Sequence, residues 1–283
     1  MIALATAPPA PPEPPPKRTE ADVIEELQNT VSASRLSTFQ RCRLQFYFRY
    51  VAEIKTPPTA SLYVGQVIHA VLQSFNLQRW RGTPLTAEDQ RTVFEQVFDN
   101  AEDGLEVRWE NEADRAEQRK LGWSVLETYF KENPIPLDEK PAGVEVAVEA
   151  DLSPSGLPTL IGVIDLVRPN GRLVDYKSSS KTPNQESLGH LHETQLSCYA
   201  VLYRESTGAK ESGFDLHHLI KLKKQPKLLV SSFNPMSQAQ QDRLYRVMES
   251  YLRALDQNDF VPSPGIQCMS CEFFGICRRW PSK

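Results

Sequence analysis

The stretch that most restricts this chain is "GVIDLVRPNGRLVDYKSSS", residues 162–180. It reads as two apolar strands, 159–167 and 172–178, on either side of Pro169-Asn170-Gly171. Strand side chains alternate between faces, so Asp175 and Lys177 point the same way, about 7 Å apart along the strand. The place of Asp165 depends on the loop. A two-residue Asn170-Gly171 turn would set Asp165 opposite Tyr176 and turn it away from Asp175. A three-residue loop sets Asp165 opposite Asp175. The sequence favours the longer loop: proline suits the first central position of a type I turn, asparagine the second, and glycine the left-handed position that follows. Two aspartates and a lysine are therefore predicted on one face. Adjacent carboxylates repel and are costly to bury unless a cation lies between them. Mg²⁺ or Mn²⁺ suits, being hard and oxygen-seeking. A lysine beside such an ion can orient a water or offset charge on a phosphate. The competing reading is an ordinary salt bridge at a strand end, since so short a motif also arises by chance.

The flanking sequence frames this hairpin. Helices are predicted at 19–29, from Ser34 to about 50, at 61–79, from a Thr86–Asp89 capping box to about 108, and at 112–131. "GVEVAVEADL" (143–152) alternates as a strand. A helix over 192–206, a strand pair in "FDLHHLIKL" and "KLLVSSF", and a helix capped by Ser237 and Gln240 complete the pattern. We therefore expect an α/β fold, a small mixed central sheet flanked by helices. Residues 1–20, with "PPAPPEPPP", read as a Pro-rich tail. Residues 21–283 read as one domain, with a helical insertion over 80–140 and a cysteine-bearing tail over 262–283.

Composition excludes some functions. A net charge of −4 leaves no global basic field for nucleic acid, so any such site must be local. No apolar run reaches the length of a membrane span. The start "MIALATAPPA" lacks the basic segment of a signal peptide, so a cytoplasmic setting is expected. Five cysteines, an odd count, argue against a disulfide framework; in a reducing compartment close cysteines are more often metal ligands. Cys268, Cys271 and Cys277 crowd the tail, one short of the four thiolates usual for zinc or an iron–sulfur cluster.

The order of "GQVIHAVL", "GVIDLV", "DYKSSS" and "QLSCYA" resembles the PD-(D/E)XK nucleases, in the RecB-type exonuclease branch. That branch includes nuclease domains of recombination helicase–nucleases and CRISPR-associated spacer-acquisition nucleases. The resemblance spans residues 32 to about 280. It implies a restriction-endonuclease-like core and a metal held by His69, Asp165 and Asp175, with Lys177, Gln195 and Tyr199 completing the catalytic set. Gln195 and Tyr199 are four apart and share a helix face. Glu145 reads equally as a further acid near the metal or as an exposed strand residue. Cys198 reads as a small core residue, and His190 and His192 as members of a loop near the site.

One subset of that branch has a cysteine before the catalytic core and three near the C-terminus, together holding a 4Fe–4S cluster. The resemblance assigns those positions to Cys42, Cys268, Cys271 and Cys277. Arg43 stands where the subset has proline. Spacing alone leaves zinc open. The implied activity is Mg²⁺- or Mn²⁺-dependent hydrolysis of DNA, as an exonuclease on single strands or ends. Repair, recombination or CRISPR adaptation is the implied setting, with a helicase or similar protein as partner. The alternative is a catalytically silent nuclease-fold subunit that binds DNA or a helicase. Two local basic stretches, "RLQFYFRY" with Arg43 and Arg49, and "KLKKQPK" with Lys221, Lys223, Lys224 and Lys227, are candidate DNA contacts. Both read equally as core aromatics and solvated lysines.

Overall fold

The computed structural model describes residues 18–100 and 105–280. The Pro-rich tail lies almost wholly outside them, as do the last three residues of the cysteine tail. The helices are α1 (Glu20–Asn29), α2 (Ala33–Arg41), α3 (Arg43–Phe46, running into a π-helical turn to Val51), α4 (Ala60–Arg81), α5 (Ala87–Asn100), α6 (Glu112–Glu132), α7 (Gln185–Leu191), α8 (Glu193–Thr207), α9 (Gln238–Asp256) and α10 (Phe274–Cys277). The strands are β1 (Thr30–Ser32), β2 (Gly143–Ala150), β3 (Thr159–Val167), β4 (Arg172–Ser179), β5 (Gly213–Ile220) and β6 (Lys227–Phe233). Sequence signals set most boundaries. Thr86 and Asp89 exchange hydrogen bonds with each other's backbone N–H ahead of α5. Ser237 and Gln240 form the reciprocal box that opens α9.

The strands form one mixed sheet in the order β1-β3-β4-β5-β6, with β2 on β3. β2 lies antiparallel along nearly all of β3, so β1 and β4 must share the opposite edge. β1 takes residues 159–161 of that edge and β4 takes 166–167. Between them, residues 162–165 of β3 have no strand neighbour on that side. Helices cover both faces. One core cluster includes Leu36, Phe39, Phe46, Leu160, Leu202 and Tyr251. The other joins α4, α5 and α6 to the sheet through Ile68, Phe94, Leu126, Leu166 and Tyr176. Cys198 is buried in the first cluster.

β2 and β3 change facing halfway along. Val144 packs with the second cluster and Val148 with the first, although both are even-numbered. On β3, Ile164 and Leu166 divide the same way. The change falls at Glu145, whose φ of 47° is left-handed, and which faces Asp165 in the register set by its neighbours. A non-glycine residue there costs on the order of 1–3 kcal/mol and needs support from its surroundings.

Four elements differ from expectation. The helix predicted to about 108 ends at Asn100, and Arg108 bridges Thr59 instead. The helix predicted from Ser34 to about 50 breaks at Cys42, which is extended (φ −167°). The break turns the thiol towards the C-terminal segment, where Ser263 N–H donates to its sulfur at 3.4 Å. β1, three residues long, carries too little pattern to be read. The segment around His190, expected as loop, is helical, with Asn184 accepting from Glu186 N–H at its start.

The hairpin loop depends on Gly171, which has φ of 75° and no room for a Cβ beside the Tyr203 hydroxyl, 2.8 Å away. We expect Gly171→Ala to lower stability by about 1–2 kcal/mol, read as a lower midpoint in urea unfolding at unchanged slope. An unchanged midpoint would remove this loop as the anchor of the register.

Candidate active site

The chemistry of the site follows from where the β3–β4 ladder stops. Arg168 N–H donates to the Arg172 carbonyl at 2.9 Å across the three-residue loop. Pairing continues through Val167–Leu173 to Leu166–Val174 and ends there. Continued, it would set Asp165 opposite Asp175 and hand the Tyr176 N–H to the carbonyl of Ile164. Tyr176 N–H instead donates to Asp165 Oδ2 at 2.9 Å. A carboxylate has replaced a backbone carbonyl, and the strands part around it.

Asp165 and Glu145 face the parted strands, with His69 of α4 beside them. His69 Nδ1 lies 3.6 Å from Asp165 Oδ2. One ligand atom from each of His69, Glu145 and Asp165 falls within 4.8 Å of the others. Burial, then the charge of Asp165, pushes the Glu145 carboxyl up to about 7. Burial, then the charge of Asp175, pushes Asp165 up to about 6, with His69 opposing. Two carboxyls that hold protons near neutrality are starved of positive charge.

Asp175 is occupied differently. It is buried, and its Oδ1 accepts from Gln195 Nε2 at 2.8 Å and from the Tyr199 hydroxyl at 3.4 Å. Lys177 Nζ donates to Gln195 Oε1 at 2.7 Å. The same ammonium stands 2.7 Å from Asp175 Oδ2, yet off the angle of a hydrogen bond, so this buried oxygen has a charge nearby and no hydrogen-bond donor. Gln195 also donates to the Tyr199 hydroxyl at 2.9 Å, which locks one face of α8 onto Asp175. Burial, then both aspartates, raise the Tyr199 hydroxyl far above the usual phenol range, so it stays a donor.

The residue types fit a divalent cation of the Mg²⁺ or Mn²⁺ class: one imidazole and two carboxylates poor in positive charge. The set that converges is His69, Glu145 and Asp165, whereas Asp175 is turned to Lys177, Gln195 and Tyr199. Glu145 was evenly balanced in the sequence because its direction depends on a left-handed backbone angle that alternation does not reveal. His218 left no signal either, lying in an unbroken buried strand. It is the register partner of Lys177, is buried, and has no hydrogen bond at Nδ1. The His192 ring lies 5.8 Å from it. Burial, then each other's proximity and Lys177, pushes the His218 imidazole down to about 4.

The predicted basic stretches resolve into structural roles. Phe46 and Phe48 are buried, Arg43 pairs with Asp259, and Arg49 pairs with Glu272. Lys221 is buried against Ser61, and Lys223 pairs with Glu117. Arg43, Arg49 and Lys223 are thus each held by a carboxylate distant in sequence, while Lys224 and Lys227 are exposed. Cys42, Cys268, Cys271 and Cys277 line one cavity. All four are free thiols, and no three of their sulfurs come within 4.8 Å of one another. No described helix is long and apolar enough to cross a membrane.

The Glu145 environment has a thermodynamic consequence. Its folded-state pKa lies above the unfolded value, so the stability gained from protonated Glu145 is present at low pH. It is lost as pH rises from about 4.5 to about 7. In chelator, the stability of the wild type minus that of Glu145→Gln should fall across that window in urea titrations. A flat difference would show that Glu145 faces solvent.

Among curated proteins none matches this chain. Among solved structures, a provisionally assigned exonuclease from Eubacterium rectale is similar at 12% identity, covering 92% of this chain and 91% of its own, with a TM-score of 0.55. The likeness establishes the fold as restriction-endonuclease-like, a mixed central sheet flanked by helices. SSO0001 is similar at 15% identity over 93% of this chain and 95% of its own, with a TM-score of 0.43. A profile of the PD-(D/E)XK nuclease superfamily matches residues 30–278. That match takes in every strand of the sheet and every residue of the site, and the chain belongs to the PD-(D/E)XK nuclease superfamily.

Proposed function

We propose that the chain is a Mg²⁺- or Mn²⁺-dependent deoxyribonuclease, an exonuclease acting on single strands or DNA ends. The observation that carries this reading is the pair of linked clusters at the parted strands: His69, Glu145 and Asp165 on one side, and Lys177, Gln195 and Tyr199 gathered on Asp175 on the other. A silent subunit would have no need to keep two carboxyls poor in positive charge beside an ordered lysine. The similarity to the provisionally assigned exonuclease supports the exonuclease mode.

His69, Glu145 and Asp165 would hold the cation, with Asp175 and its Lys177 partner beside them. When bound, the ion supplies Lewis acidity and offsets charge on the scissile phosphate. Lys177, fixed by Gln195 and Asp175, keeps its ammonium where it can donate to a phosphate oxygen or orient the attacking water. Gln195 holds Lys177 and Asp175 in one geometry, and Tyr199 closes the cluster against the core. DNA is the substrate, and a helicase or similar protein the partner.

The cysteine cavity is best read as the seat of a 4Fe–4S cluster that ties Cys42 to Cys268, Cys271 and Cys277. Burial pushes the Cys271 and Cys277 thiols up, and the proximity of Cys42 and Cys268 adds to this. Tetrahedral zinc with bonds of 2.3 Å would bring the sulfurs to about 3.8 Å of one another. Spacing does not choose between the two; the family resemblance favours the iron–sulfur cluster.

Wild type with Mn²⁺ should degrade end-labelled single-stranded DNA, and Lys177→Ala should do so about 10²–10³-fold more slowly. Equal rates, or no degradation by the wild type, would remove the enzyme reading. Anaerobically purified protein should contain iron and sulfide, and Cys271→Ser should lose both together with several degrees of Tm. Stoichiometric zinc, or an unchanged Tm and spectrum, would overturn the cluster.

A further inference from the structure

One cavity touches the catalytic cluster and is used by none of the roles above. It has a volume of about 360 Å³, within the range of ligand pockets. Ser34, Ser37 and Arg41 of α2 form one wall, and Gly162 on the open edge of β3 another; Gln195 and Tyr199 of α8 close it. Ser34, Ser37 and Arg41 are spaced three and four apart, so they lie on one face of α2. The opposite face carries the buried Leu36 and Phe39. The open segment of β3 thus borders a cleft whose far side presents hydroxyls and a guanidinium.

Arg41 differs from its neighbours. Arg35 donates to the Thr30 carbonyl and hydroxyl, Arg43 is paired with Asp259, and Arg49, which also borders this cavity, is paired with Glu272. Arg41 has no hydrogen-bond or ion-pair partner among the described residues and is exposed. It also lines a second cavity, with Ser37, that runs between α8 and α9 past His190, Thr194 and Arg243. In that cavity Arg243 is taken up by Glu193. Among the described residues Arg41 is therefore an unpaired cation shared, with Ser37, by the linings of two cavities, the first of which also has Gln195 and Tyr199 in its wall.

We infer that this cleft is the track of the substrate strand, with Arg41 and the Ser34 and Ser37 hydroxyls binding a backbone phosphate beside the scissile one. The inference rests on the nuclease reading and adds the substrate's path and form. The ligand class is a single-stranded polynucleotide. A pocket of this size walled by two helices and a strand edge takes one nucleotide and excludes a base-paired neighbour. Hydroxyls and one guanidinium offer phosphate contacts without a base-reading pattern, so binding is indifferent to sequence. Arg41 is a binding residue; it does not touch the reacting atoms.

The test is binding of the full chain, in chelator so that no cleavage occurs, to a fluorescent oligodeoxythymidylate over a range of salt. Each phosphate neutralised on a single strand contributes about 0.7 to the slope of log K against log salt. Arg41→Gln should reduce the slope by about 0.7 and weaken binding several-fold at low salt, with an unchanged Tm. Arg41→Lys should restore the slope, and Lys131→Gln, an exposed cation on α6, should leave it unaltered. If the wild type binds and degrades the strand but Arg41→Gln keeps its slope, or if Lys131→Gln loses as much, the track is overturned and the nuclease reading stands. Arg41-dependent binding of a blunt duplex as tight as that of the single strand also overturns it. If the wild type neither binds nor, with Mn²⁺, degrades the strand, the nuclease reading falls and the track with it.

Discussion

The hydrogen bond from Tyr176 N–H to Asp165 Oδ2 is the interaction on which the rest of the site depends. It satisfies a buried backbone donor that the ladder would otherwise have claimed, and so lets β3 and β4 separate without an orphaned amide. Separation creates the open edge of β3 between β1 and β4. It also allows Asp165 to be buried within reach of His69 and Glu145 while Asp175, one residue past the last pair, turns to α8. A sheet paired to its end would have presented these carboxylates as an ordinary cross-strand pair, with no space between them for substrate.

Electrostatically the site is unfinished. Asp175 has Lys177 and two neutral donors, which suffice for one charge. Asp165 and Glu145 share a single imidazole and one backbone N–H, and both respond by holding protons. Burial is the larger cause in each; the charge of Asp175 is the second for Asp165, and the charge of Asp165 the second for Glu145. A divalent ion removes both causes at once, because it neutralises the pair in place of protons and makes the burial tolerable. The left-handed backbone at Glu145 belongs to the same balance. Alternation would have sent this side chain elsewhere, and a strained angle brings it back to Asp165.

Much of this was legible in the sequence where the controlling physics is local. The Pro169-Asn170-Gly171 loop fixed the register through turn preferences, and the capping boxes at Thr86 and Ser237 fixed two helix starts. The four-residue spacing of Gln195 and Tyr199 put both on one helix face. The illegible parts have non-local causes. Arg43 and Arg49 read as free cations because Asp259 and Glu272 lie more than two hundred residues away in the chain. The helix expected to run through Cys42 breaks because the C-terminal segment competes for that residue. His218 sits in a strand buried throughout, where periodicity cannot separate a core residue from one beside Lys177 at the site.

The break at Cys42 joins the two ends of the chain to the site. α2 ends at Arg41, Cys42 turns into the C-terminal cavity, and α3 resumes at Arg43. The two segments are tied by Arg43 to Asp259, by Arg49 and Gln45 to Glu272, and by Tyr47 and Phe48 against Trp280. These contacts fix where α2 stops, and α2 is the wall that faces the open edge of β3. Phe39 and Phe46, on either side of the break, both meet Tyr251 of α9 edge-on, so the break is clamped from the core as well as from the tail. Geometry at the catalytic cleft is thus set partly from residues beyond 250. Loosening the C-terminal segment would move α2 before it disturbed the sheet, since the sheet's own ladders do not pass through it.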